Sequence, residues 1–431
     1  MENNLHKGLK ITGNSGNVYT VESVISIGTG QGDVYKVHNA RKEKYALKLF
    51  HKGNMSALQK QIDLLIKRGQ ACDAFVTPIE TVHVNGRLGY VMEYVGSEYL
   101  SAGALFNGVR ESGRSVSLNF YDKLALLGEI VDALCVLNSA NLGIMDVKFE
   151  NIKIDLENRR VKILDTDTIV YSKDKSVVLG TIGFMPPLTM IGQEKPNCFN
   201  DVYAIAVMIF MTLIGIHPLD GKRRNQKCNE NIDTYLFGTH PVYVFHPQDA
   251  SNRPIAQDSY GRNQQVALDK IKKYPDYFKN AMQKTFVDGL FDGSKRTSMK
   301  QWSEILANLY RDSFICENCG EEYFLSGKEK ECSVCLKELQ KPIALKGERS
   351  IHLFNGMTVF SDDIWQTTNH YPVFRVVVTE YDGRFGLENL SAGEAILKLK
   401  DGSVREFLRG ENFPIFLDGE ITVENKTVKF I

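Results

Sequence analysis

The sequence predicts an α+β protein of two or three domains, and three observations carry that expectation. Short apolar strands with glycine and polar turns fill residues 18–95. Apolar residues at helical spacing in Asn119–Ser139, the apolar run Val202–Ile216 and the closing segment Tyr274–Leu309 read as helices. From Lys341 to Ile431 the pattern returns to short alternating strands, which reads as a small antiparallel β-sandwich. A chain of 431 residues is too long for one ordinary core. Its 52 basic and 52 acidic side chains cancel, so nothing global calls for nucleic acid or an anionic membrane. The start, MENNLHKGLK, lacks an apolar h-region and reads as no signal peptide. The longest apolar run, Val202–Ile216, is too short for a bilayer and reads as a buried core helix. Of eight cysteines, Cys72, Cys135, Cys198 and Cys228 are scattered and four form two C-x-x-C pairs. That usage suits a reducing, cytoplasmic compartment and a metal site better than a disulfide framework.

In the strand-rich start, Val24–Ile27 leads into Gly28-Thr-Gly30-Gln-Gly32, followed by Val34–Val37 and Tyr45-Ala46-Leu-Lys48. A glycine turn between strands lets backbone amides approach a phosphate, although a plain hairpin turn uses the same residues. Met55–Arg68 carries Leu58, Ile62, Leu65 and Ile66 at helical spacing. Phe75–Val95 offers two strands around Asn85-Gly-Arg87. The helix Asn119–Ser139 then delivers the chain to Gly143–Asp167, where the strand runs Ile152–Ile154 and Val161–Leu164 flank a polar turn.

That hairpin carries Asp146, Asn151 five residues later and Asp165 fourteen residues after that. One acceptor near an attacking hydroxyl and two oxygen ligands for Mg²⁺ are what phosphoryl transfer from ATP requires. Asp146-Val-Lys-Phe-Glu-Asn151 resembles the protein-kinase catalytic loop D-L-K-P-E-N, and Asp165-Thr-Asp167 stands where kinases have D-F-G. Further resemblances follow in kinase order over residues 18–310. They are the glycine turn, Ala46-Leu-Lys48, the hinge-like Tyr90–Val95, Gly180-Thr-Ile-Gly-Phe-Met-Pro-Pro187 and Asp201-Val-Tyr-Ala.

The resemblance implies a bilobal protein-kinase fold, with an N-lobe over 1–95 and a C-lobe over 96–312. It implies ATP and Mg²⁺ as cofactors and a protein substrate. Gly28, Gly30 and Gly32 would approach the phosphates and Lys48 would contact them. Val34, Ala46 and the gatekeeper Met92 would line the adenine, with the backbones of Glu93 and Val95 at its edge. Asn151 and Asp165 would hold Mg²⁺, Asp146 would orient the acceptor hydroxyl and Lys148 would neutralise the transferred group. Asp201 would hold the catalytic-loop backbone. Thr168, Ser172 and Thr181 are autophosphorylation candidates by position.

Departures from the pattern are as informative. The glycine loop is one residue short. Gln61 stands where the helix should supply a glutamate for Lys48, and it can bond that lysine without neutralising it. H-R-D becomes Ile144-Met145-Asp146, without the arginine that holds a phosphorylated loop. Leu188 replaces the A-P-E glutamate, so its usual partner, matched by Arg296, needs another acceptor. Asp167 is either an extra metal contact or an exposed or turn-capping carboxylate. Lys222–Gly261 is a long polar insertion, a kind of segment that is usually functional or mobile.

Cys316-x-x-Cys319 and Cys332-x-x-Cys335, twelve residues apart, fit a closed structural Zn²⁺ site in a ribbon over 313–340. A thiol redox pair is the runner-up. The β-sandwich over 341–431 ends in PIFLDGEITVENKTVKFI, which loosely resembles a forkhead-associated domain, without an Arg/Ser/His constellation for phosphothreonine. L-G-Y-V-M, D-T-D-T, G-F-M-P-P, H-P-L-D-G and the ribbon together resemble one bacterial kinase family. It is encoded beside a PP2C-type phosphatase and a von Willebrand A-domain protein in tellurite-resistance-type clusters. On this reading the chain is a serine/threonine kinase of a stress-signalling system, and the phosphatase and A-domain protein are expected partners. The rivals are a nucleotide-binding pseudokinase scaffold and a kinase of small molecules.

Overall fold

A computed structural model describes residues 5–28, 31–51, 55–106, 118–171, 180–226, 228–257, 263–325, 329–339, 342–367, 369–378 and 385–431. Gly30 and Ser172 lie outside these. The chain divides into two compact units, Met1–Ile271 with Tyr277–Glu304, and Lys272–Asp276 with Ile305–Ile431. No helix among the described residues is long and apolar enough to cross a membrane.

The first unit opens with β1 (Lys10–Thr12), β2 (Val18–Ser26), β3 (Gly32–His38), β4 (Lys44–Phe50), helix α1 (Met55–Arg68), β5 (Pro78–Val84) and β6 (Arg87–Glu93). The six strands form one antiparallel sheet in the order β1-β2-β3-β4-β6-β5. Asn85 (φ 51°) and Gly86 (φ 75°) close the β5–β6 hairpin; both central residues need positive φ, which is why Asn-Gly serves there. Side chains alternate across the pleat. Leu47 and Leu49 enter one buried cluster with Tyr35 and Val91, while Ala46 and Phe50 join Tyr90, Met92 and Ile62 of α1 in the other. Lys48 therefore shares the face that meets α1.

Short β7 (Leu100–Ser101) and α2 (Ala102–Phe106) precede α3 (Phe120–Ser139), whose first turn is capped by the Asn119 side chain accepting from Asp122 N–H. β8 (Leu142–Gly143) leads to the hairpin β9 (Ile152–Asp155) and β10 (Arg160–Ile163), and β11 (Val170–Tyr171) pairs back on β8. α4 (Pro187–Met190) precedes α5 (Cys198–Ile214), which is buried almost throughout and starts in an Asn197/Asn200 capping box. The apolar run continues to Ile216, but Gly215 adopts φ 92° and stops the helix at Ile214.

The described part of the 222–261 insertion is not a loose polar loop. It holds α6 (Ile232–Thr234) and a wider turn, Tyr235–Thr239. Fully buried Asn252 ties it down, accepting from Gly221 and Arg223 N–H and donating to the carbonyls of Leu219 and Val242. Tyr243 packs edge-on and Phe245 tilted against Phe210 of α5. α7 (Gln265–Lys273), α8 (Asp276–Gln283) and α9 (Met299–Asp312) complete the long helices before the cysteine pairs.

In the second unit, β12 (Ser313–Ile315) and β13 (Glu322–Phe324) pair as a hairpin. Then follow β14 (Ala344–Lys346), β15 (Ser350–His352), β16 (Thr358–Phe360), α10 (Ser361–Ile364), β17 (Pro372–Val378) and β18 (Phe385–Asn389). β19 (Ala395–Lys398), β20 (Val404–Phe407), β21 (Asn412–Pro414), β22 (Glu420–Val423) and β23 (Lys426–Phe430) end the chain. They make two antiparallel sheets, β15-β14-β23-β22-β19-β20 and β16-β17-β18-β21. Phe407 of the first sheet and Phe413 of the second stand with ring centres 4.8 Å apart.

Candidate active site

Lys48 is the centre of the polar groups beneath the six-stranded sheet. It is 4% exposed, and its Nζ donates to Asp165 Oδ1 at 3.0 Å and to Asp167 Oδ1 and Oδ2 at 3.0 and 3.2 Å. Burial works to lower its pKa, but the charges of Asp167 and then Asp165 outweigh that and hold it above the ordinary lysine value. The Tyr90 hydroxyl donates to Asp167 Oδ1 at 3.1 Å. Gln61 of α1 donates to the backbone carbonyls of Asp167 (2.5 Å) and Ile169 (3.2 Å) rather than to the lysine. Asp165 sits at φ 54°, a strained conformation for a non-glycine residue and one that over-determined functional loops tolerate. The fully buried Thr166 follows it, donating its hydroxyl to Val76 O at 2.6 Å. The sequence offered two roles for Asp167, metal contact or turn cap, and the structure gives it a third, as the buried partner of Lys48.

The catalytic-loop residues converge on Asp146. Lys148 Nζ donates to its Oδ2 at 2.7 Å, and the Thr181 hydroxyl donates to its Oδ1 at 2.7 Å. Lys148 also reaches Thr181 Oγ1 at 3.1 Å, closing a three-membered polar ring. The amide of Asn151 donates to Asp146 O at 2.9 Å. Two ties hold this loop to the Asp165 loop: Leu164 N–H donates to Asn151 O at 2.7 Å, and the Thr168 hydroxyl lies 2.6 Å from Ile144 O and 2.8 Å from Asp165 O. Thr168 is thus buried in a structural bond, which argues against it as a phosphorylation site, whereas Thr181 lies within the site. Asp201, at the start of α5, accepts from the N–H groups of Ile144 (2.7 Å) and Met145 (2.9 Å) and holds Met145 at φ 63°. Ile144, standing for the kinase histidine, is 1% exposed. Arg296 finds carbonyl acceptors in Gly289 and Phe199, both at 2.8 Å, in place of the missing glutamate.

Val34, Val95 and Leu164 are partly buried against the cluster that contains Ala46 and Met92. Register places Val34 opposite Lys48 and Ala46 opposite Met92, so the proposed adenine wall and phosphate-binding lysine share adjacent rungs. The Glu93 side chain accepts from Lys162 at 2.8 Å. Gly32 approaches the Leu49 carbonyl so closely that a Cβ would stand 2.5 Å from it. Gly28, at φ 70°, donates its N–H to Asp33 Oδ1 at 3.0 Å. Asp33 also accepts from Arg87 at 2.6 Å; burial works to raise its pKa, but the Gly28 N–H and the guanidinium hold it below the ordinary aspartate value. Nothing in the motif pattern marked Asp33, because its partner Arg87 lies 54 residues away on β6, across β4 from β3.

In the second unit the Sγ atoms of Cys316, Cys319, Cys332 and Cys335 all lie within 4.8 Å of one another. Cys316–Cys335 and Cys319–Cys332 are 3.6 and 3.4 Å apart. Tetrahedral Zn²⁺ with bonds of about 2.3 Å sets sulfurs about 3.8 Å apart, so the donor set and spacing fit. The two knuckles are built alike. Gly320 N–H donates to Cys316 O and Leu336 N–H to Cys332 O, with Gly320 at φ 75° and Leu336 at φ 58°.

A family model described as protein kinase domain matches residues 19–304. Over 238 residues the chain is 23% identical to serine/threonine-protein kinase SRK2D of Arabidopsis thaliana, covering 54% of this chain and 62% of the relative. Serine/threonine-protein kinase SRK2I of the same plant is 23% identical over 220 residues, covering 49% and 58%. Serine/threonine-protein kinase PknG of Mycobacterium leprae is 27% identical over 214 residues, covering 47% of this chain and 26% of the relative. The match thus spans less than two thirds of each of these relatives.

Proposed function

The chain belongs to the protein kinase domain family, and from that premise we propose that it transfers the γ-phosphoryl group of ATP to serine or threonine hydroxyls of a protein partner or of itself. The observation that carries this reading is the convergence of Lys148, Asn151 and Thr181 on Asp146, tied through Thr168 and Leu164 to the loop of Asp165. Asp146 orients the acceptor hydroxyl and takes up its proton. Lys148 neutralises charge on the group in transit. Asn151, whose amide nitrogen is engaged by Asp146 O, would hold Mg²⁺ together with Asp165. The Asp165 side chain is 45% exposed, which leaves room beside it for a metal and its waters. Held by Asn151 and Asp165, the ion would supply positive charge against the phosphates. Lys48 grips the α- and β-phosphates, Val34, Ala46 and Met92 enclose the adenine, and the backbones of Glu93 and Val95 meet its edge.

The cysteine cluster is read as a structural Zn²⁺ site and the two C-terminal sheets as a β-sandwich that recruits partners. The phosphatase and A-domain protein implied by the resemblance are the first substrates to try, in a cytoplasmic stress-signalling setting. Deleting 313–431 should spare autophosphorylation and weaken action on a partner, whereas equal loss of both contradicts the recruiting role. A chelator that removes one zinc per chain and adds four titratable thiols to those of the scattered cysteines supports the metal site; a thiol count that the chelator leaves unchanged contradicts it.

One observation favours the scaffold alternative. Gly28 N–H is committed to Asp33 and so is not directed at a phosphate. Incubation with γ-labelled ATP and Mg²⁺ decides between them. ATP-dependent thermal stabilisation lost in Lys48→Ala, with no transfer by the wild type, would leave a nucleotide-sensing scaffold.

A further inference from the structure

Two carboxylates flank Lys48, and they differ in surroundings. The Asp167 side chain is 1% exposed and that of Asp165 45%. Both Asp167 oxygens are engaged, Oδ1 by Lys48 and the Tyr90 hydroxyl, and Oδ2 by Lys48. A Mg²⁺ ion demands near-ideal octahedral coordination and keeps several waters, which a carboxylate sealed in this way cannot accommodate. Asp165, opening to solvent, can. The two carboxylates are therefore placed differently: Asp167 is wholly committed to Lys48 and Tyr90, whereas Asp165 meets Lys48 through Oδ1 alone and keeps a half-exposed side chain that a metal can reach.

α1 contributes no acid here. Gln61 grips the backbone of the Asp167–Ile169 segment, so the helix supports the segment that carries the counter-ion without itself supplying charge. We infer that Asp167 is the positioning residue for Lys48, taking over the task of the missing helix carboxylate. The ion pair that prepares the phosphate-binding lysine is then built between β4 and the Asp165–Asp167 loop and does not depend on the helix for its charge. This rests on the kinase reading only for what Lys48 binds. The pairing is a statement about the protein alone.

The test compares Asp167→Asn, Asp167→Glu, Gln61→Ala and Asp165→Asn in the full chain. It reads ATP·Mg²⁺ affinity by calorimetry, kcat and KM for ATP by label transfer, and the Mg²⁺ concentration giving half-maximal rate. Removing one partner of a buried charge pair costs enough that Asp167→Asn should lower kcat/KM for ATP by at least about 30-fold. The Mg²⁺ requirement should stay put, and Asp167→Glu should recover part of the loss. Gln61→Ala should cost only about threefold, that of a neutral hydrogen bond. Asp165→Asn should raise the Mg²⁺ requirement.

A Gln61→Ala loss equal to that of Asp167→Asn would overturn the inference, because the helix would then be positioning the lysine. So would a Mg²⁺ requirement shifted by Asp167→Asn, because Asp167 would then be a metal ligand. A wild type that binds ATP without transferring it sinks the transfer reading and leaves the affinity comparison decisive. If it bound no nucleotide, an unfolding double-mutant cycle between Lys48→Met and Asp167→Asn would still decide, and zero coupling would overturn the pairing.

Discussion

Replacing Asp201 by asparagine separates what this carboxylate costs in stability from what it does for the loop above it. An amide can accept only one of the N–H groups that Asp201 now holds, from Ile144 at 2.7 Å and Met145 at 2.9 Å. Its NH₂ faces the other. One backbone N–H loses its acceptor and the buried NH₂ is left without one, at about 1–3 kcal/mol each, or about 2–6 kcal/mol in sum. Burial acts in the opposite direction. It lifts Asp201 from an ordinary 3.8 to about 7, opposed by the two backbone N–H groups and assisted by the charge of Asp146. Keeping the carboxylate ionised in the folded chain above that pH therefore costs about 4 kcal/mol, which asparagine escapes. Between pH 4 and 7 the folded state holds more of this proton than the unfolded state. The group's contribution to wild-type stability thus falls as pH rises through that window, and the variant lacks that fall. The stability deficit of Asp201→Asn should shrink by about 3 kcal/mol between pH 5 and pH 8, reaching within about 2 kcal/mol of zero. Urea unfolding followed by Trp302 fluorescence in a Trp365→Phe background measures this in the first unit. Phosphoryl transfer should stay low at both pH values, because Met145 loses the anchor of its left-handed backbone. A deficit that does not change with pH, or full transfer in the variant, would refute the reasoning.

Leu336 occupies the left-handed position that Gly320 fills in the other knuckle, and it is 76% exposed. Leu336→Gly should relieve about 1–2 kcal/mol of backbone strain, less the added freedom of the unfolded chain. The chelator concentration that releases half the zinc should rise; an unchanged or lowered value counts against the strain. His217 donates from Nε2 to Gly183 O, accepts Leu219 N–H at Nδ1, and is pushed down by burial to about 4. Its neutral form is the one folded, so its contribution is present above pH 6.5 and lost as pH falls toward 4, by at most about 3 kcal/mol. His217→Asn should flatten the acid limb of stability by that amount, and an unaltered limb would contradict it. Thr181→Val removes the hydroxyl joining Asp146 and Lys148 and should lower kcat about tenfold, with KM for ATP little changed. An effect confined to KM would place Thr181 elsewhere in the mechanism.

Much of this site could be read from the sequence where its logic is local. The β9–β10 hairpin, the Asn85-Gly86 turn and the α3 cap each follow from residues within a few positions of one another. The spacing of Asp146, Asn151 and Asp165 needed only motif order. What escaped depends on distant partners. Asp167 reads as an ordinary turn acid until the fold brings Lys48, 119 residues away in sequence, within 3.0 Å of it. The 222–261 insertion reads as polar because its organiser is an asparagine, and Asn252 becomes a core residue only once carbonyls from Leu219 and Val242 surround it. The acceptors of Arg296 are backbone carbonyls, which carry no sequence signature.

The most direct test of the central claim is incubation of the purified full chain with γ-labelled ATP and Mg²⁺, alone and with candidate protein partners, beside Asp146→Ala and Asp165→Ala. Label on serine or threonine that both substitutions abolish is the expected result. Transfer that survives Asp146→Ala, or no transfer from a wild type that binds ATP, would contradict it.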